Sequence, residues 1–177
     1  MKRLLVLFSL VSLILGCSNE NTGKGIKILN SKINQEMGTE VYIPQFEGLE
    51  VSLAYISYDT FGDPSSIVIQ YSQNPGNILL EFIEHPNVKA LYGPYDTDAI
   101  VIFSFDKKDK SIENVSGERI KVNGTEIVIQ DSVDSHNFQT QMFMHEDNKY
   151  VIGYKLDALT EEEALRRTEE VISNLLN

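Results

Sequence analysis

Few side chains in this sequence are suited to chemistry: one cysteine, three histidines and a large surplus of carboxylates. Cys17 is the only thiol, so no disulfide, thiolate metal cluster or redox pair can form within the chain. His85, His136 and His145 do not stand at the i,i+4 spacing of a helical zinc motif, and His145-Glu146-Asp147 reads as a turn. Four carboxylates, Asp59, Asp63, Asp96 and Asp98, fall in two loops that share a Tyr-Asp-Thr triplet, Tyr58-Asp59-Thr60 and Tyr95-Asp96-Thr97. If the loops converge, their oxygens would suit a hard cation such as Ca²⁺, although neither loop has EF-hand spacing. If they do not, the aspartates are ordinary turn formers. No nucleophile elbow, phosphate loop or dinucleotide fingerprint occurs. No catalytic residue and no metal centre is therefore assigned, and no cofactor is expected. Paired acids for hydrolysis remain open on so acidic a chain, though the lack of Trp counts against a sugar-stacking cleft.

Cys17 gains meaning from what precedes it. Met1-Lys2-Arg3 is a short basic start, and Leu4 to Leu15 is apolar apart from Ser9 and Ser12. Twelve residues of helix cover about 18 Å, well short of the roughly 30 Å hydrocarbon core of a bilayer. A charged start, a short apolar run and small residues at its end describe an export signal and not a permanent span. Ile14-Leu15-Gly16-Cys17 resembles the lipobox of bacterial lipoproteins. That resemblance implies a diacylglyceryl group on the Cys17 sulfur, cleavage between Gly16 and Cys17, and a palmitate-type lipid anchor facing the extracytoplasmic side of a cell membrane. Two acyl chains anchor stably where one binds only marginally. Lipidation would also account for an unpaired cysteine in an exported chain.

The expected organisation is a cleaved signal peptide over 1–16, a lipidated cysteine and flexible polar tether over 17–25, and one domain over 26–177, long enough for a real core. The formal net charge is −11, and loss of Lys2 and Arg3 makes the exported part more acidic still. Such a surface repels nucleic acid and anionic headgroups. No Lys/Arg cluster stands out, so the lipid is expected to do the anchoring.

The elements follow from period and punctuation. Ile26, Leu29, Ile33 and Met37 predict a short helix that Gly38 ends, and Val41-Tyr42-Ile43-Pro44 an extended piece. Alternation predicts strands over 51–58, 67–71 and 99–105, with Ile78, Leu80 and Phe82 as a return strand after the Asn74-Pro75-Gly76-Asn77 turn. The stretch marked by Pro86, Gly93 and Pro94 reads as a loop. Asn123-Gly124 predicts a type I′ hairpin joining 119–122 to 125–130. A second hairpin, 138–145 with 149–156, turns at Asp147-Asn148. Thr160 and Glu163 make a capping box for a final helix with Ala164, Thr168, Val171, Ile172 and Leu175 inward. Its outer side carries the pairs Glu162/Arg166 and Glu163/Arg167. The fold class is α+β: a curved antiparallel β-sheet, a meander of hairpins, with a short N-terminal helix and a C-terminal amphipathic helix packed on one face.

Val41-Tyr42-Ile43-Pro44, the Val122-Asn123-Gly124 turn, the strand from Phe143 to Tyr150 and the helix after Leu159-Thr160 together resemble a domain family of unknown function. It occurs in extracytoplasmic lipoproteins and anti-sigma-type regulators. The resemblance implies a curved sheet related to the half-barrels of lipoprotein carriers, which hold acyl chains in an apolar groove; it supplies no functional residues. The expected role is a membrane-tethered, non-enzymatic binding or sensory module for an envelope protein partner or a lipid ligand. The alternatives are a cell-envelope hydrolase using acidic residues and a structural accessory lipoprotein.

Overall fold

The computed structural model describes residues 20–79, 85–108, 111–131 and 137–177, with side chains from residue 26 onward. The first element, α1 (Glu20–Met37), turns Leu29, Ile33 and Met37 inward and rests Ile26 against the same core. Gly38, at φ 64°, ends it with its N–H on the Asn34 carbonyl, and the Asn34 side chain accepts from the Val41 N–H at 3.0 Å. The helix spans Glu20–Met37 and so starts earlier than the Ile26 expected from its apolar spacing. Propagation from a turn whose face is already buried is favourable enough to carry Gly23 and Gly25, each unfavourable by about 1 kcal/mol relative to Ala.

Eight strands form one open antiparallel sheet: β1 (Glu50–Tyr58), β2 (Pro64–Ser72), β3 (Val88–Tyr92), β4 (Val101–Asp106), β5 (Glu118–Val122), β6 (Thr125–Asp131), β7 (Phe138–His145) and β8 (Asn148–Lys155), in the order β3-β1-β2-β4-β8-β7-β6-β5. The return strand expected from Ile78 onward is not β2's neighbour, since β2 lies between β1 and β4. Ile78 makes one bridge, to Tyr95, and Leu80 and Phe82 lie outside the described residues. In its place β3 pairs with β1, where the sequence reads as loop. Val-Lys-Ala-Leu-Tyr has little alternation, so its extended form comes from the partner strand and not from its own pattern.

The two hairpins show what local chemistry can dictate. Asn123 and Gly124 take φ of 50° and 85°, as a type I′ turn requires. The β7–β8 turn falls on Glu146 (φ 49°) and Asp147 (φ 60°), one residue before the expected Asp147-Asn148. Register decides the position: Phe143 faces Tyr150 with the rings stacked 5.2 Å apart, and that pairing sets His145 opposite Asn148.

One face of the sheet is the main core. Ile56, Ile67, Ile69, Tyr71, Phe103, Phe105, Ile152 and Tyr154 are almost wholly buried there beneath α1, the extended 40–49 segment and α2 (Glu161–Leu175). α1 lies over β1, β2 and β3, and α2 over β7. The Thr160 hydroxyl accepts from the Glu163 N–H at 3.2 Å and starts α2, as its sequence predicts. Arg167 pairs with Glu163, but Arg166 pairs with Glu170 and not with the expected Glu162. Arg166 has a carboxylate one turn away on either side, and Glu162 is already favoured by the helix N-terminus. On the opposite face a smaller cluster of Ile112, Val128 and Met142 is covered by the 111–117 segment. The Arg119 guanidinium fastens that cover by donating to the carbonyls of Ile112, Glu113 and Val115.

Candidate functional site

Gly16, Cys17 and His136 lie outside the described residues. The four aspartates do not come together. Asp59 and Asp63 sit at the β1–β2 turn, past Tyr58, whereas Tyr95, next to Asp96, bonds through its N–H to the Ser52 carbonyl near the other end of β1. From Ser52 to Tyr58 a strand covers about 20 Å. The hard-cation reading of Asp59, Asp63, Asp96 and Asp98 is therefore corrected, and no group of three or more His, Cys, Asp or Glu among the described residues is arranged to hold a metal. Asp59 has a structural task instead: its carboxylate accepts from the N–H groups of Phe61 and Asp63 at 2.8 and 3.0 Å. Asp98 pairs with Lys155. His85 is exposed and accepts from the Asn87 N–H, and His145 packs edge-on to Tyr150.

Among the described residues, the helix-covered face is packed with buried side chains. Tyr71 spans it and donates to the Pro44 carbonyl at 2.7 Å, and Phe46 meets the Tyr71 ring edge-on at 4.9 Å.

A different cavity, of about 400 Å³, opens at the β5–β6 side of the sheet below the start of α2. Glu118 of β5, Asp131 of β6 and Glu161 of α2 give it three carboxylates, with Gln130 and Gln139 beside them. Gly117 draws the rim tight: at φ 147° a Cβ there would lie 2.3 Å from the Ile129 carbonyl oxygen. Gln130 holds the rim through the carbonyl and hydroxyl of Ser116. A polar strip runs inward from the mouth, with the Gln139 amide donating to Asp131 at 3.3 Å and the Gln141 amide to Gln139 at 3.0 Å. Gln141 is fully buried and its own side-chain oxygen has no partner among the described residues. Three acids from three elements favour a cationic group, an ammonium or guanidinium, over an anion. No sequence signal finds this trio, because the acids belong to no local motif and only the strand order brings them together.

An exposed aromatic surface lies elsewhere, near the start of β1. Tyr92 and Tyr95 stand 5.5 Å apart beside exposed Ile78 and Leu79, and burial followed by the Tyr95 hydrogen bond pushes the Tyr92 hydroxyl up to about 12. No protein-family model, curated protein or solved structure matches this chain.

Proposed function

We propose that this chain is an extracytoplasmic lipoprotein, held to a cell membrane by lipid on Cys17, whose folded part is a non-enzymatic binding module for an envelope protein partner. The observation that carries the reading is Ile14-Leu15-Gly16-Cys17 at the end of a short apolar run, with helix beginning only three residues later at Glu20. Three residues reach about 11 Å at most, so the domain stays beside the bilayer and meets partners there. The buried core packed under the two helices supports a protein partner over a lipid cargo. The acidic cavity of Glu118, Asp131 and Glu161 suits a lysine or arginine of such a partner. Register shifts at Val51/Leu53 and Ser57/Tyr58 are bulges of the kind that bend a sheet, and they support the expected curvature.

The test is to express the full chain and its Cys17→Ala variant and partition both between detergent and aqueous phases. The parent chain is expected in the detergent phase with acyl label attached, and the variant in the aqueous phase. A variant that still partitions with detergent refutes the anchor.

A further inference from the structure

The sequence from Asn21 to Gln35 holds three lysines, Lys24, Lys27 and Lys32, and no acid, in a chain whose net charge is −11. As separate residues they are unremarkable. The helix gathers two of the described ones. At about 100° per residue, the outward side of α1, opposite Leu29 and Ile33, carries Ile28, Ser31 and Gln35, with Lys27 and Lys32 flanking them on either side. All five are exposed, and Ile28 is 60% exposed, a large apolar residue facing solvent between two cations. Neither Lys27 nor Lys32 forms an ion pair with a described residue.

From these observations we infer that α1 is a second membrane contact: its Lys27/Ile28/Ser31/Lys32 face lies on an anionic bilayer surface, with Ile28 entering the headgroup layer. The inference rests on the proposed Cys17 anchor. Charge complementarity selects this surface, since residues 21–35, the stretch of α1 between Glu20 and Glu36, carry lysines and no acid close behind the anchor, and anionic lipid attracts lysines beside the membrane. Chain length permits the contact. Cys17 lies within about 11 Å of Glu20 and Ile28 about 12 Å further along the helix axis, so the face can lie flat. The acidic outer face of α2 does not interfere. α1 lies over β1 and α2 over β7, four strand spacings or about 19 Å apart, about twice the screening length at physiological salt, so the acids of α2 act only weakly on the α1 face. The lipid fixes the protein to the membrane, and the helix fixes which way it faces.

The test uses the lipidated protein made from the full chain, with Ile28→Cys or, separately, Phe61→Cys carrying a polarity-sensitive fluorophore. Lipidated Cys17 does not react with the probe, and Phe61 is a 90% exposed control on the β1–β2 turn. Each protein is placed on vesicles of phosphatidylcholine, alone or mixed with phosphatidylglycerol, and floated. The expected result is flotation with both compositions and a blue shift of the position-28 probe only with phosphatidylglycerol. That shift should be reversed by high salt, and the docked-to-free ratio should fall about five-fold for each of Lys27→Gln and Lys32→Gln. The position-61 probe should stay in water throughout. Flotation with a position-28 probe that stays in water, that shifts equally without anionic lipid, or that is outdone by position 61 overturns the helix contact and leaves the anchor standing. Failure to float overturns both.

Discussion

The Tyr71 hydroxyl donates to the Pro44 carbonyl at 2.7 Å inside the core, tying the extended 40–49 segment to the middle of the sheet. Tyr71 is completely buried, and burial raises its hydroxyl far above the ordinary tyrosine range, so it stays a protonated donor at neutral pH. Tyr71→Phe leaves the Pro44 carbonyl without its partner in an apolar setting. A loss of about 1–3 kcal/mol is expected by urea unfolding, with little change in the m-value.

Tyr154 and Thr168 couple the sheet to α2 through hydroxyls 2.8 Å apart, both buried. Tyr154→Phe and Thr168→Val each strand the other hydroxyl, whereas the double variant removes both. The double variant is expected to be less destabilised than the sum of the singles, by about 1 kcal/mol, in a double-mutant cycle.

Glu36 ties the end of α1 to the sheet. It accepts from Lys89 at 2.5 Å and from the Tyr58 hydroxyl at 3.0 Å, and these two bonds, Lys89 first, hold its carboxyl below its ordinary 4.5. A depressed acid stabilises the fold above its unfolded value and loses that contribution as pH falls through the folded one. Glu36→Gln is therefore expected to lower the melting temperature slightly at pH 7. The gap should close as pH drops below 4.5. Both partners are partly exposed, so the difference at pH 7 is small and shrinks with added salt.

Gly93 sits at φ 74° with room for no side chain: a Cβ would lie 2.3 Å from the Ser52 carbonyl oxygen. Gly93→Ala is expected to cost more than about 2 kcal/mol and to loosen the Tyr92–Tyr95 contact, read as a fall in melting temperature. Gly124→Ala, at φ 85° in open space, should cost about 1–2 kcal/mol, from the backbone alone.

Where one local rule decides the outcome, the sequence was enough to read it. Asn123-Gly124 can hardly turn another way, and Thr160 with the stripe from Ala164 to Ile172 specifies α2. β3 was not legible, because its hydrogen bonds belong to a partner strand some thirty positions earlier. Glu118, Asp131 and Glu161 are likewise scattered acids until the strand order gathers them. Lys27 and Lys32 were visible as residues, but a face exists only once the helix spans them. The aspartate pairs show the reverse: a repeated triplet drew attention to Asp59 and Asp96, and β1 holds them apart.

Covalent lipid on Cys17 is tested most directly by mass spectrometry of the N-terminal peptide of the protein recovered from membranes. The expected result is a chain that begins at Cys17, lacks residues 1–16 and carries the added mass of a diacylglyceryl group on that residue. A membrane-derived chain that retains Met1 to Gly16, or that begins elsewhere with an unmodified Cys17, would contradict it.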